Sequence, residues 1–187
     1  MRTGKVHLEK RIKLKKKDIF KVKDKYLEYL KPLCKDVVVA GSIRRGVDTP
    51  GDIDFLVIPN KKWDTRKLPY DEMLWSGNKK IGIFFAGVHI DIMITDEKSW
   101  GAALLHFTGS QKFNIMMRMR AITRKMKLNE YGLFAEDGTF IASRQEVQIF
   151  AMLGLKNIPA ESRTDKVNFS DWVLAPAKLS IDRRIRA

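Results

Sequence analysis

Cysteine is nearly absent from this chain: Cys34 is the single thiol among 187 residues. An intrachain disulfide is impossible and a cysteine-rich zinc site is excluded. Cys34 is expected to be a small core residue, and the chain suits a reducing, intracellular compartment. Long apolar runs are missing too. No stretch of about 18 apolar residues occurs, so no transmembrane helix and no membrane partner are expected. The basic N-terminus lacks the apolar stretch and small-residue cleavage site of a signal peptide. Acidic residues are scarce beside basic ones, 22 against 36. What remains is ample for folding: an apolar fraction of 44% supplies a packed core and excludes wholesale disorder.

The formal charge of +14 favours polyanionic partners, nucleic acid above all, over a merely soluble basic protein. Its distribution sharpens the reading. Residues 1–31 hold twelve basic and four acidic side chains, and residues 111–128 hold six basic and none acidic. The two stripes predict two phosphate-touching surfaces. Lys13, Lys15, Lys16 and Lys17 are the candidates in the first; Arg118, Arg120, Arg124, Lys125 and Lys127 are those in the second.

Periodicity places the elements. Residues 1–16 alternate in places, as short strands or a loose arm would. From about Asp18 the pattern is helical, with Ile19, Val22, Tyr26 and Leu30 on one face, and Pro32 limits it. Four strand-like runs follow, Asp36–Ala40, Asp52–Ile58, Ile81–Ala86 and Val88–Thr95. Trp63–Trp75 is ambiguous. Near Ser99 the character becomes helical. Ser110 can cap a helix running to about Met126, with Phe113, Met117, Ala121 and Arg124 at helical spacing. Leu128–Phe134 and Thr139–Ala142 read as a hairpin around Asp137-Gly138. Ser143 with Glu146 forms a capping box before Val147–Leu153. Residues 164–187 show weak periodicity and a basic end.

The chemistry concentrates in Gly41-Ser42-Ile43-Arg44-Arg45-Gly46, followed by Gly51-Asp52-Ile53-Asp54. On a strand, Asp52 and Asp54 would turn both carboxylates to one face. Such a pair repels itself unless a cation joins it, and all-oxygen ligation suits Mg²⁺ or Mn²⁺. Asp91, in the otherwise apolar Ile90-Asp91-Ile92-Met93-Ile94, is a third candidate; alone, it could also bond a buried amide. Three converging carboxylates could hold two metal ions. The Gly41-Ser42 turn lets the backbone approach a triphosphate, Ser42 can donate to a phosphate and Arg45 can neutralise developing charge. The pattern specifies nucleotidyl transfer without specifying the acceptor.

Gly41–Gly46 with Asp52, Asp54 and Asp91 resembles the palm of the nucleotidyltransferase superfamily. The second half narrows the resemblance to DNA polymerase family X. The residues that carry it are His106-Phe107-Thr108-Gly109-Ser110, Phe113-Asn114, Arg118, Leu128-Asn129-Glu130-Tyr131-Gly132-Leu133, Ala151-Met152-Leu153-Gly154-Leu155 and Ile158-Pro159-Ala160-Glu161-Ser162-Arg163. The likeness spans about residues 36–163. It implies an α+β fold: a mixed-sheet palm with flanking helices over 1–103, a small thumb-like α/β subdomain over 104–163, and a basic tail over 164–187. It also implies DNA-directed addition of deoxynucleotides to a primer 3′-hydroxyl, filling short gaps in repair. By position, Asp52, Asp54 and Asp91 would bind two Mg²⁺ ions, or Mn²⁺ in their place, with Asp91 helping to activate the hydroxyl. Gly41, Ser42, Arg45 and Gly51 would hold the triphosphate. Phe107 and Gly109 would line the incoming sugar, with His106 beside them, Asn114 would reach the base edge, and Arg118 would approach the template. His106 also fits a helix-end cap, and Phe113 and Tyr131 also fit packing roles.

The chain departs from larger family members. No room is found for an amino-terminal lyase domain or a helix-hairpin-helix module, so the architecture resembles the minimal palm-plus-thumb members. Met93 stands where some carry a switch arginine, and His106 where tyrosine is common. The N-terminal lysines are candidates to replace the lost DNA affinity. Template-independent terminal transfer, nucleotide addition to RNA and a catalytically silent DNA-binding accessory stay open as alternatives. DNA and dNTPs are the expected partners, a repair ligase or nuclease is left open, and the absence of a coiled-coil pattern points to a monomer.

Overall fold

A computed structural model describes residues 16–174, with side chains described from Asp18 onward. Lys13 and Lys15, the side chains of Lys16 and Lys17, the arm over 1–15 and the tail beyond 174 lie outside the described residues.

Helix α1, Lys16–Leu30, forms as its spacing predicts. Ile19, Tyr26 and Leu30 are buried on one face, and Pro32 stands in the 3-10 turn that follows. Five strands then build one mixed sheet: β1 (Cys34–Val39), β2 (Ile53–Pro59), β3 (Glu72–Ser76), β4 (Lys80–Phe85) and β5 (Val88–Ile94), in the order β1-β2-β5-β4-β3. Strands β2 and β5 run parallel and the other neighbours antiparallel. The central β2 and β5 are buried on both faces, so their cores read as continuous apolar runs. Ile53, Phe55, Val57, Ile90 and Ile92 join α1 in one core, and Cys34 is buried there as expected. Leu56 and Met93, on the opposite face, pack against Ala103 of helix α3 (Trp100–Thr108). The ambiguous Trp63–Trp75 resolves into a 3-10 turn capped by Asp64 and strand β3.

The second half has its own core. Helix α4, Gln111–Thr123, is capped by Ser110, whose hydroxyl accepts from the Phe113 amide. Phe113, Met117 and Ala121 are buried against Leu133 and against Ile149 and Phe150 of helix α5 (Glu146–Met152). Strands β6 (Met126–Asn129), β7 (Gly132–Ala135) and β8 (Phe140–Ala142) form a three-stranded antiparallel sheet. Phe169 and Trp172 of the closing segment pack onto this core, so residues 164–174 are not a bare tail.

Three expectations are corrected. Helix α4 stops at Thr123 rather than about Met126, because Lys125 adopts φ 56° and turns the chain into β6. Leu128–Phe134 is two strands, since the Asn129 side chain accepts from the Tyr131 and Gly132 amides and folds a tight turn. The Ser143–Glu146 capping box does not form. Gln145 holds the N-cap position, the Ser143 hydroxyl donates to the Lys98 carbonyl, and Glu146 turns to two arginines.

That last choice joins the halves. Glu146 Oε2 receives Arg44 Nη2 at 2.8 Å, and its Oε1 receives Arg44 Nη1 at 2.9 Å and Arg163 Nη1 at 2.5 Å. Arg163 is 1% exposed. Its Nε and Nη2 donate to the Ile158 carbonyl, and its guanidinium lies over the Phe113 and Phe150 rings. Burial alone would raise Glu146, but the two guanidinium groups outweigh it and hold the carboxyl below its usual range. Removing one partner of such a buried set strands the others. Glu146→Gln is therefore expected to cost about 3 kcal/mol in urea unfolding at pH 7. The loss should shrink as pH falls through the depressed carboxyl pKa, where the wild-type contact also fails. An unchanged midpoint at pH 7 would remove the network from its structural role.

Candidate active site

The sequence order strand–turn–strand brings the acidic and glycine-serine segments together. After β1, Ala40 donates its amide to the Asp54 carbonyl, and the chain turns through the short helix α2, Gly41–Arg44. Gly41 has φ +58°, and a Cβ there would lie 1.8 Å from Asp54 Oδ2. Only glycine lets the turn lie against the carboxylate. Asp54 is the second residue of β2. Its neighbour in the parallel register is Asp91 of β5, so the two carboxylates share a face. Asp52 lies one residue before β2 rather than on it, and its charge still reaches Asp54.

A cleft of about 410 Å³ opens between the halves. Gly41, Ser42, Arg45, Asp52 and Asp54 line one wall. His106, Phe107, Gly109, Asn114 and Arg118 line the other, with Ser110 and Gln111. Asp91 is buried behind this lining beside Asp54, and Gly51 adjoins Asp52 without lining the cleft. Thr108 tethers the walls. Its hydroxyl accepts from Arg44 Nη1 at 2.6 Å, and its carbonyl accepts from Arg45. Gly109, at φ +65°, leaves room for Arg45, whose Nη1 would sit 3.3 Å from an added Cβ. Asn114 Nδ2 donates to the His106 carbonyl at 2.6 Å. Burial, with Arg118 adding to it, holds His106 below its ordinary pKa, so the ring is neutral at pH 7.

The electrostatics are unbalanced in two places. Burial, then the like charges of Asp52 and Asp91, push Asp54 up to about 6. Asp91 is also lifted by burial, but His89 and Lys80, both turned onto its carboxylate, more than reverse this and hold it below the usual range. Lys80 Nζ pairs with Asp91 Oδ2 at 2.8 Å. His89 Nε2 stands 3.4 Å from Asp91 Oδ1, and neither of these atoms makes a hydrogen bond among the described residues. The Ser42 hydroxyl is likewise buried without a partner. Such atoms are costly unless a ligand completes them. Among the described residues no three His, Cys, Asp or Glu side chains are gathered as a ready-made metal site. The donor chemistry nevertheless fits a hard cation: all-oxygen, mutually repelling, with one carboxylate oxygen unsatisfied.

The basic candidates of α4 divide. Arg118, Arg124, Lys125 and Lys127 are exposed. Arg120 instead donates to the Leu153 and Gly154 carbonyls at the end of α5, a helix-capping task that removes it from the free cations. Charge counting could not separate the two kinds. Sequence reasoning did not give Lys80, the Thr108 tether or the Glu146 ion pairs; the strand register and long-range pairing that assign them appear only in three dimensions.

The raised Asp54 pKa gives a stability test without metal. The carboxyl ionises near its ordinary 3.8 when unfolded but near about 6 when folded, so stability is lost as pH rises from about 4 to about 6 and the full cost is present above that. Asp54→Asn should raise Tm by about 5 °C at pH 8, and the gain should vanish below about pH 4. Calorimetry in chelator across that range checks it; a gain independent of pH would mean the carboxylate is not strained.

Comparison with known proteins gives the family. The family described as DNA polymerase beta thumb matches residues 103–164. The repair DNA polymerase X of African swine fever virus (a Warthog/Namibia isolate) is 32% identical over 121 residues, covering 57% of this chain and 68% of that one. The DNA polymerase/3′-5′ exonuclease PolX of Bacillus subtilis is 31% identical over 133 residues, covering 66% of this chain and 23% of its own length. DNA polymerase lambda of Rattus norvegicus is 29% identical over 153 residues, covering 63% of this chain and 27% of its own. The chain thus spans about two thirds of the viral relative and about a quarter of the cellular ones. With the viral relative covered to that extent and the second half matching the thumb, the chain belongs to DNA polymerase family X.

Proposed function

We propose that this chain is a DNA-directed DNA polymerase that adds dNMP to a primer 3′-hydroxyl and fills short gaps in repair. The observation that carries the reading is the single cleft in which Asp52, Asp54, Ser42 and Arg45 face His106, Phe107, Gly109 and Asn114, with Asp91 registered against Asp54. The relatives' names, repair polymerase among them, support the same direction.

The reaction forms a bond from the primer 3′-oxygen to the α-phosphorus, breaks the α–β phosphoanhydride and releases pyrophosphate. Asp52, Asp54 and Asp91 would hold two Mg²⁺ ions, with Mn²⁺ as a substitute. Bound there, the ions supply Lewis acidity toward the hydroxyl and the departing phosphate. The chain's own residues do the rest. Asp91, its carboxyl held below the usual range, stands as proton acceptor for the 3′-hydroxyl. The unpartnered Ser42 hydroxyl donates to the triphosphate, and Arg45 neutralises charge that grows on it. The backbone at Phe107–Gly109 walls the sugar, so that a 2′-hydroxyl is crowded. Asn114 meets the minor-groove edge of the incoming base. Exposed Arg118 lies toward the template, and Arg124, Lys125 and Lys127 contact phosphates beyond it, with Lys13, Lys15, Lys16 and Lys17 as a second basic surface. We take the chain to act as a monomer on gapped or primer–template DNA. Among the described residues no helix is long and apolar enough to cross a membrane.

Single-dNTP incorporation on a one-nucleotide-gapped duplex with Mg²⁺ tests the reading beside Asp54→Ala. Template-matched extension that falls by on the order of 10³-fold in the variant is expected. Extension indifferent to the template base, or equal use of ribonucleotides, would replace it with terminal or RNA-directed transfer. Retained DNA binding without extension in Mg²⁺ or Mn²⁺ would replace it with an accessory role. The N-terminal surface has a separate test. Changing Lys13, Lys15, Lys16 and Lys17 to Gln should flatten the slope of log K against log salt by up to about 3 to 4; an unchanged slope would dismiss those lysines from the interface.

A further inference from the structure

Lys80 lies outside the cleft lining and outside the roles given above. Strand register explains how it reaches the acidic site. In the antiparallel β4–β5 pair Gly82 lies opposite Asp91 and Lys80 opposite Met93, so the three polar or small positions share one face. Gly82 leaves a gap above its backbone, and Trp75 of β3, its register partner, fills it: a Cβ on Gly82 would fall 2.1 Å from the indole. The indole then holds two neighbours. The Lys80 ammonium lies 5.1 Å from its ring centroid, and the His89 ring meets it edge-on at 5.5 Å. Guided by the indole, the ammonium reaches diagonally along the strand to Asp91 Oδ2 at 2.8 Å. The side chain is 42% exposed, so it can swing into solvent.

We propose that Lys80 is a resident counter-ion of the acidic site, occupying Asp91 until a divalent cation displaces it. This rests on the metal reading given above and adds a competitor to it. Three neighbouring carboxylates repel one another, and a tethered ammonium is the cheapest available neutraliser. An ammonium supplies one charge and no coordination sphere, so a divalent ion gains Asp91 only by giving up what Lys80 gained there. Lys80 therefore weakens metal binding, in contrast to a residue that orients Asp91 for the metal, which would strengthen it.

Mn²⁺ alone, followed by the electron paramagnetic resonance of the free ion, separates these cases in the full chain at low ionic strength. Lys80→Met should bind Mn²⁺ about three- to fivefold more tightly than the wild type, the scale set by a half-exposed ion pair. Lys79→Met is the control for charge alone. Its ammonium lies over the Tyr131 ring instead, and its loss should change affinity less than about twofold. Acetylation of Lys80 by acetic anhydride, read by mass spectrometry, should rise as Mg²⁺ is added to the wild type. Unchanged or weaker Mn²⁺ binding in Lys80→Met, equal gains in both variants, or labelling indifferent to Mg²⁺ while Mn²⁺ still binds would each overturn the proposal and leave the metal site standing. Failure of Mn²⁺ to bind either the wild type or Lys80→Met would instead remove the metal reading, and Lys80's part in it falls too.

Discussion

Arg163 is the largest side chain buried almost completely among the described residues, and a guanidinium in that position must be matched by an anion or by oriented dipoles. The Ile158 carbonyl takes two of its donors and Glu146 takes another. Glu146 is thereby committed, and its remaining bonding capacity goes to Arg44, a residue about a hundred positions earlier. Arg44 belongs to the turn that carries Ser42 and precedes Arg45. The same turn is bound through Thr108, once by its hydroxyl and once by its carbonyl. One buried charge in the second core therefore sets where the glycine-serine turn sits relative to α3 and α4. The opposition of the two cleft walls follows from that anchoring, and so does the approach of Arg45 to Gly109.

A second constraint runs through the first core. Parallel pairing of β2 with β5 forces Asp54 and Asp91 side by side, and Asp52 adds a third like charge. Apolar residues at these positions would make a quieter sheet. Here Asp54 is pushed up to about 6, a buried oxygen of Asp91 is left unsatisfied, and Gly41 gives up its side chain to let Asp54 in. Strain of this kind, concentrated at one end of an otherwise well-packed sheet, is characteristic of a site built for a ligand rather than for stability. The strongly apolar interior of β2 and β5 provides the rigidity against which these charges are held.

The first half was largely legible in the sequence because its signals are local. Apolar runs bounded by glycine mark the strands, the period of Ile19, Tyr26 and Leu30 marks α1, and the acidic pattern marks the carboxylates that the register brings together. Failures cluster where a side chain had two possible uses. Ser143 and Glu146 carry the spacing of a capping box, yet each finds a stronger long-range partner, and local preference yields to tertiary pairing. Asn129 is the last residue of β6 and also, through its side chain, folds the turn that splits Leu128–Phe134 into two strands. The helical spacing of Phe113, Met117, Ala121 and Arg124 carries no stop signal, whereas the reversal at Lys125 ends α4 at Thr123 and starts the β6–β7 pair. The cleft residues from His106 to Arg118 became legible through family resemblance, since composition alone shows only an apolar helix followed by a basic one.

Net charge is the feature that sequence arithmetic most overstates. The stripe on 111–128 counts every cation alike, whereas the fold spends Arg120 on the carbonyls that end α5. Phe113, Met117 and Ala121 define the inward face of α4. Asn114 and Arg118, one turn apart, lie at the boundary of that face and open onto the cleft. Arg124, Lys125 and Lys127 follow at the far end, where the chain leaves the helix and enters β6. From Arg118 onward the exposed cations of this stripe thus run from the cleft to Lys127 in β6, with Arg120 withdrawn onto the end of α5. Arg118 is the member of this run that meets the cleft, one turn from Asn114, whose Nδ2 donates to the His106 carbonyl.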